Sequence, residues 1–267
     1  EYEGMIKAHG DTVHIRTTPT LTIRDYTKGM TLQVERPDST PLELLIDKGK
    51  YWQAVSDDVD KVQSDVNLMD VWSKDAAEQM KIEIDQDVLT NMITDISALN
   101  SGATAGAKTA SFNLGTTGSP LTVTKDGAGG TTSITDLIVD IGTVLDEANC
   151  PESDRYLVLP AKAVGLIKKS ELKDASLSGD GTSILRNGRV GMIDRFTIYM
   201  SHNLLTSSGK TNIIAGTKRG LTFASQMTKM ESIRAESTFG NLIRGLQVYG
   251  YKVVKPEAIA TSVIQFA

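Results

Sequence analysis

Apolar and polar residues alternate along residues 11–56, a pattern that predicts short β-strands joined by turns. The stretches "YTKG" and "ERPDSTP" separate the apolar runs as turns. The alternating apolar positions are Val13, Ile15, Leu21, Ile23, Leu32, Val34, Leu42, Leu44, Ile46, Tyr51 and Val55. Because so few apolar residues make a poor core alone, we predict a long two-sided hairpin that projects and packs on something else.

Residues 67–98 contain neither proline nor glycine and predict one helix about 48 Å long, at ~1.5 Å per residue. Apolar residues recur there every four positions, at Leu68, Trp72, Ala76, Met80, Ile84, Val88, Met92 and Ile96. An α-helix turns once per ~3.6 residues, so this stripe winds around the axis and indicates contacts with several surfaces. The alternative is that Ile82, Leu89 and Ile93 widen a single buried face.

The second half of the chain predicts a mixed architecture of the α+β class. Residues 100–133 are rich in Gly, Ala, Ser and Thr and predict a mobile surface excursion with strand-like pieces at Ser111–Leu114 and Leu121–Thr124. Ser133 is a cap signal for a helix that stops before Pro151. Two strands with a short helix and a glycine-rich loop between them follow, and the tail alternates again with Pro256 between two strands.

Composition narrows the function classes. The net charge of −5 argues against a protein that coats nucleic acid, and no apolar run is long enough for a membrane span. Residues 57–87 hold ten Asp/Glu against three Lys/Arg, whereas residues 155–195 hold eight Lys/Arg against four Asp/Glu. Such opposite charges suit copies that pack against one another, and two solvated faces are the alternative. The single cysteine, Cys150, excludes an internal disulfide framework and a cysteine-based zinc site.

The glycine-rich loop "LSGDGTSILRNGRVG", residues 177–191, poses the main chemical question. A phosphate cradle lies between a strand and a helix N-terminus, but here a strand follows, so no helix dipole is available. A basic-rimmed loop that contacts a neighbouring chain fits better, and a small enzyme that binds an anionic substrate is the alternative. Ser201 and His202 are adjacent at a strand end and therefore point to opposite faces. We predict no catalytic, cofactor or metal residues, and Cys150 as a packed thiol.

Four stretches, in the right order, carry a family resemblance: "GDTVHI" at 10–15, "GRVGMIDRFTIYMSHNL" at 188–204, "AGTKRGLTFASQ" at 215–226 and "LQVYGYKVVKPEAIATSVI" at 246–264. With the order of hairpin, long helix, excursion, α/β segment and β tail, the chain resembles the major capsid proteins of tailed bacteriophages. The resemblance implies the Hong Kong 97-type fold.

The resemblance also implies domains and partners. Residues 1–10 are expected to be the remnant of an N-terminal arm, 11–56 the extended loop, 57–133 with 225–267 the peripheral domain, and 134–224 the axial domain. Identical copies would form the hexamers and pentamers of an icosahedral virion head, assembled in the bacterial cytoplasm around double-stranded DNA held without sequence specificity. Portal, scaffold and decoration proteins are further expected partners, whereas a cofactor and a membrane are not. An encapsulin-like compartment is the alternative shell.

Charged and aromatic side chains on the loops supply the candidate contacts between subunits. These are Arg16, Arg24, Lys28, Arg36, Lys48, Lys50, Trp52, Asp180, Arg186, Arg189 and Arg195. Some relatives crosslink a loop lysine to an asparagine of the adjacent subunit. Lys28, Lys48, Lys50 and Asn241 supply these residue types, but their spacing singles out no pair.

Overall fold

The computed structural model of the chain describes residues 12–16, 21–36, 41–57, 68–170, 191–236 and 239–267. The strands are β1 (Thr12–Arg16), β2 (Pro41–Leu45), β3 (Lys48–Asp57), β4 (Leu121–Thr124), β5 (Thr132–Ser133), β6 (Arg155–Leu159), β7 (Met192–Ile193), β8 (Phe196–Met200), β9 (Thr206–Ser207), β10 (Lys210–Thr217), β11 (Leu221–Arg234), β12 (Gly240–Val253) and β13 (Ile259–Phe266). The α-helices are α1 (Leu68–Asn91), α2 (Ile134–Glu147) and α3 (Ala161–Lys169).

The chain forms two compact units. Unit 1 takes its described residues from 1–66 and 223–252, and unit 2 takes its described residues from 67–222 and 253–267. These units divide the chain at other places than the expected peripheral and axial domains, so those domain boundaries stay a prediction. No helix among the described residues is both long and apolar enough to cross a membrane.

Unit 1 contains two antiparallel sheets. In the first, β1 pairs with β2 from Thr12 opposite Leu45 to Arg16 opposite Pro41. In the second, β12 lies between β11 and β3. Of the apolar residues that alternate inward on β1 and β2, Val13, Ile15 and Leu44 are buried, as the sequence pattern predicts, and Leu42 is half-buried.

The strands expected around Ile23 and Val34 are a wrong prediction. Residues 21–36 contain no strand, and all of them are exposed. Alternation alone does not hold a two-stranded ribbon in a regular ladder when neither a third strand nor a core supports it.

The long helix ends earlier than the predicted range of 67–98. Helix α1 stops at Asn91, and a 3-10 turn follows over Met92–Asp95. The Asn91 side chain donates to the Asp87 carbonyl at 2.9 Å, and Ser97 accepts from the amide of Leu99. Such local side-chain bonds compete with helix continuation and explain the earlier end. The four-residue stripe is the less exposed side of the helix, with Ile84 and Met92 buried.

Unit 2 is built on a sheet with the strand order β5-β4-β13-β10-β6-β8-β7, to which β9 adds by pairing with β10. β13 pairs antiparallel with β10 and parallel with β4. One face of the sheet packs on α2 and α3 through apolar residues that include Leu137, Ile141 and Ile213. The 3-10 turn after α1 contributes Met92 to a second cluster with Ile214. Ile213 and Ile214, successive residues of β10, therefore belong to different apolar clusters.

The expected surface excursion at 100–133 is partly wrong. Leu114 and Ala105 are fully buried, and Val123 of β4 joins the main core. Ser111–Leu114 is not a strand, although Phe112 forms an isolated bridge with Ala105. Small residues allow this segment to pack closely against the core, which composition alone does not distinguish from a loop.

The predicted cap of α2 is confirmed. The Ser133 hydroxyl accepts from the amide of Thr135, and Asp136 lies in the first turn. The expected break at Pro256 is also confirmed, because this proline opens a short 3-10 turn between β12 and β13.

Candidate assembly surfaces

The projecting segment of unit 1, residues 21–36, is here called the arm tip. The register of β1 and β2, counted onward, places Thr22 opposite Glu35 and Thr27 opposite Met30. Thr22 donates to the Glu35 carboxylate through its amide at 3.4 Å and its hydroxyl at 3.3 Å, and the Met30 amide donates to the Thr27 carbonyl at 3.2 Å. Gly29, with φ of 91°, completes the turn between them. The arm tip is therefore a turned-back hairpin, held by few hydrogen bonds.

One face of the arm tip is apolar. In an antiparallel register, residues directly opposite each other share a face. Extended to the arm tip, this rule groups Leu21, Ile23, Leu32 and Val34 on one side, together with Asp25 opposite Leu32 and Arg36 opposite Leu21. Ile23 is 95% exposed and Val34 is 88% exposed. No described part of the chain buries these four apolar side chains, which are between 63% and 95% exposed.

A groove of about 430 Å³ lies on the three-stranded sheet of unit 1. Tyr51 and Trp52 of β3 and Leu246 of β12 supply its apolar walls, and Tyr51 is 79% exposed. Trp52 lies directly opposite Gly245. A Cβ on that glycine would overlap the indole ring, so the absent side chain makes room for Trp52. Tyrosine and tryptophan in an open groove are typical of protein interfaces.

A compact charge cluster borders this groove. Arg244 donates to the Glu231 carboxylate through Nε at 3.0 Å and through Nη2 at 2.6 Å, and Lys229 forms a second ion pair with the same carboxylate. The hydrogen bonds from Lys229 and then Arg244 lower the pKa of Glu231 to about 2. Two cations on one carboxylate leave the cluster with an excess positive charge.

In unit 2, Arg195 is fixed within its own chain. Asp194 and Arg195 both have positive φ, at 45° and 66°, as the two central residues of a tight hairpin turn between β7 and β8. Arg195 donates to the Asp146 carboxylate at 2.8 Å and pairs with Glu152 at 3.3 Å. This intramolecular anchoring does not test the expected contact with another subunit.

Asp146 also receives Arg155, a residue that the sequence analysis did not single out. Arg155 is 1% exposed and donates to Asp146 at 2.6 Å and to the carbonyls of Pro151 and Cys150 at 2.9 Å each. Burial opposes ionisation of Asp146, but the hydrogen bonds from Arg155 and Arg195 keep its pKa below the usual range. No sequence signal marked this buried arginine, because it begins an otherwise ordinary strand.

The other candidates for subunit contacts fall into three groups. Arg16, Arg24, Lys28 and Arg36 are exposed on β1 and the arm tip. Lys48, Lys50 and Trp52 lie on β3, where Lys48 donates to the Tyr251 hydroxyl at 2.7 Å. Asp180, Arg186 and Arg189, with nearly all of the 177–191 loop, lie outside the described residues.

The described residues contain no group of three or more His, Cys, Asp or Glu side chains that could hold a metal ion. Ser201 accepts from the amide of Asn203 at 3.1 Å, while His202 is exposed beside it. Cys150 is half-buried and donates to the Glu257 carbonyl at 3.2 Å, and burial raises the pKa of its thiol. The thiol is thus packed, as predicted.

The chain is similar to known shell proteins over nearly its full length. The profile of the family described as "Phage capsid protein" matches residues 43–262. A solved chain of Mycobacterium phage Che8 is 28% identical, with a TM-score of 0.75, and the match covers 99% of this chain and 87% of that one. No curated protein sequence matches significantly.

Two more distant structures share the fold alone. The capsid structure of Cyanophage P-SCSP1u is 16% identical, with a TM-score of 0.68 over 97% of this chain and 84% of that one. A holo encapsulin complex from Synechococcus elongatus is 10% identical, with a TM-score of 0.58 over 95% of this chain and 82% of that one.

Proposed function

The chain belongs to the phage capsid protein family and has the Hong Kong 97-type fold, and we propose that it is the major capsid protein of a tailed bacteriophage. Identical copies assemble into hexamers and pentamers that close an icosahedral head around double-stranded DNA. Assembly takes place in the cytoplasm of the bacterial host. The protein acts through repeated interfaces and carries out no catalysis, and multivalency makes weak contacts strong in the closed shell.

The observation that carries this proposal is the apolar face of the arm tip. Leu21, Ile23, Leu32 and Val34 are all well over half exposed in a single chain. Burying each of these side chains would stabilise the protein by about 1.5 to 3 kcal/mol, a stabilisation that is lost while they are exposed. A second copy of the chain supplies the missing cover, and a head-to-tail contact of this kind closes rings.

The groove around Tyr51 and Leu246 is the receiving surface that fits this arm. It offers apolar walls beside the positive charge of Lys229 and Arg244. The arm offers an apolar face with Asp25 near its turn and Arg36 at its other end. The apolar parts match, and Asp25 has the charge opposite to that of the cluster. Tyr51→Ser is expected to lower the yield of shells, and an unchanged yield would exclude this groove as the receiving surface.

Electron microscopy of negatively stained protein tests the shell function. The wild-type chain is expected to form closed particles. A variant with Leu21, Ile23, Leu32 and Val34 each replaced by Thr is expected to keep its circular dichroism spectrum and to remain unassembled. The matched control replaces Thr31 with Ser and Gln33 with Thr, on the other face of the same arm. Intact particles from the fourfold variant would refute the role of the apolar face.

The contents of the particles separate a virus head from an encapsulin-like compartment. A phage head purified from infected cells holds nuclease-protected DNA, and portal, scaffold or decoration proteins copurify with it. Particles that hold an enzyme and no DNA would assign the chain to a compartment instead. Autocrosslinking stays a separate prediction, and monomer-sized bands from boiled particles on a denaturing gel would remove it.

A further inference from the structure

A second cavity, of about 200 Å³, lies within unit 2, where three chain segments meet. The first segment is Asn149 and Cys150, after helix α2. The second is Thr217 at the end of β10 with Arg219 in the turn that follows, and the third is Lys255 and Glu257, after β12. We call this cavity the Thr217 pocket. The shell function proposed above assigns it no role.

Backbone hydrogen bonds fix two of its walls to each other. The Gly220 carbonyl accepts from the amides of Val254 at 2.8 Å and Lys255 at 3.3 Å. The Gly220 amide donates in turn to the Thr217 carbonyl at 3.0 Å, and a Cβ on Gly220 would overlap Ile259. The turn is therefore locked against the segment after β12, with Arg219 and Lys255 on neighbouring backbones.

The third wall is equally constrained. The Cys150 thiol donates to the Glu257 carbonyl at 3.2 Å, and the buried Arg155 donates to the Cys150 and Pro151 carbonyls. Asn149 adopts a φ of 55°, which turns the chain sharply at the end of α2. A pocket with walls held in this way is preformed and needs little reordering to accept a ligand.

The pocket contains polar groups without partners. Thr217 is 2% exposed, and its hydroxyl forms no hydrogen bond with the rest of the described structure. The hydroxyl is closed off from solvent in this conformation, so a ligand meets it only when the Thr217 side chain turns toward the pocket. Arg219 and Lys255 form no ion pair within the described residues, whereas the adjacent Lys218 pairs with Asp154 at 3.4 Å.

The charges favour an anion. Arg219 and Lys255 supply two positive charges to the lining and Glu257 supplies one negative charge, so the cations are in excess. Burial raises the pKa of the Cys150 thiol; the positive charges of Arg155 and Lys255 lower it, and the negative charges of Glu257 and Asp146 raise it.

We propose that the Thr217 pocket binds a phosphate group. Arg219 and Lys255 neutralise the charge of the phosphate, and the Thr217 side chain turns to donate a hydrogen bond from its hydroxyl to one of the phosphate oxygens. Two sources carry this group: inorganic phosphate in solution and the backbone of DNA. The second source rests on the proposed capsid function, whereas the first does not.

Cys150 provides a reporter inside the pocket, because it is the only cysteine of the chain. The rate at which a neutral maleimide labels the unassembled full-length chain is measured at constant ionic strength, with phosphate replacing chloride. Phosphate is expected to slow labelling in a saturable way. A rate independent of phosphate, or one that falls without saturation, would overturn the proposal.

Three variants and one control locate the effect. Arg219→Gln and Lys255→Gln are each expected to raise the phosphate concentration for half-protection about tenfold, since each removes a charge-assisted hydrogen bond. Thr217→Val keeps the side-chain shape and is expected to weaken protection several-fold. Lys218→Gln removes a neighbouring positive charge outside the pocket and is expected to change nothing. Equal losses in Lys218→Gln and Arg219→Gln would show unspecific charge attraction and overturn the site.

A short DNA duplex, added in competition with phosphate, separates the two sources. Protection by the duplex that disappears in Arg219→Gln supports the DNA backbone as ligand, and protection by phosphate alone supports the free anion. Calorimetric titration of each variant with phosphate checks the result without the thiol. A wild-type chain that binds phosphate but forms no particles would refute the proposed function and leave this site intact.

Discussion

Gly245 lies directly across the antiparallel ladder from Trp52, and the indole ring occupies the space that a side chain on Gly245 would need. Glycine in the middle of a strand weakens the strand, because it packs nothing and loses more conformational freedom than other residues. Glycine is nevertheless required at position 245 of β12, because the Trp52 ring opposite leaves no space for a side chain. The groove on unit 1 thus depends on a small residue and a large one together.

Replacing this glycine tests the pairing. Gly245→Ala is expected to displace the indole and to lower the free energy of unfolding by about 1 to 3 kcal/mol, as in overpacked cores. Gly49→Ala is the matched control, because a Cβ at that position of β3 meets its nearest atoms at an ordinary 4.0 Å. Urea unfolding of both variants measures the difference. Equal stability of the two would show that Trp52 does not need the space.

The buried Arg155 is expected to be a main support of unit 2. Arg155→Met keeps much of the side-chain volume but removes the donors to Asp146 and to the carbonyls of Pro151 and Cys150. Each buried carbonyl that loses its partner costs about 1 to 3 kcal/mol, so we expect a loss of several kcal/mol. Lys218→Met, which breaks only an exposed pair with Asp154, should cost less than about 1 kcal/mol. Thermal unfolding compares the two variants.

Acid is expected to weaken unit 1 through Glu231. Its folded pKa of about 2 lies below the ordinary 4.5, so the folded chain binds this proton less readily than the unfolded chain does. The stabilisation is complete above pH 4.5 and is lost as the pH falls toward 2. Glu231→Gln should flatten the stability profile in that window, and Glu236→Gln serves as the control. Because Lys229 and Arg244 are partly exposed, added salt should reduce the effect.

The helix cap at Ser133 is expected to contribute less to the free energy of unfolding than Arg155 does. Its hydroxyl accepts from the Thr135 amide at the start of α2, so Ser133→Ala should destabilise the chain by about 1 kcal/mol. Ser133→Asp, which can accept the same bond and favours the helix dipole, should restore most of that loss. Denaturant midpoints of the two variants decide the matter, and equal losses would indicate a role other than capping.

The sequence was most informative where one local rule determined the outcome. Ser133 and Pro256 marked boundaries because capping and proline act within a few residues. The four-residue stripe of α1 predicted the side that is less exposed, but the helix end at Asn91 depended on side-chain bonds that the stripe does not reveal. In the arm tip a local pattern was misleading: the residues around Ile23 and Val34 alternate as in a strand, but they form no strand.

The candidate assembly surfaces were harder to predict from the sequence. Trp52 was a candidate, but the roles of Gly245 and Glu231 emerge only when β12 lies beside β3 and β11. Arg155 was missed for the same reason, because its partners come from the far end of α2 and the segment after it. Contacts between residues far apart in the sequence bring these side chains together, and the periodicity of apolar residues does not predict which segments make contact.

The position of β13 has a consequence for the timing of synthesis. β13 lies between β4 and β10, although the chain makes it after both. The ribosome must therefore extrude residue 266 before this sheet can form completely. Until then, the place of β13 between β4 and β10 is unfilled. We expect folding of unit 2 to follow translation of these strands and to be slow, as for topologies rich in distant contacts. Until β13 is added, β4 and β10 each lack the partner strand that joins them in the folded sheet.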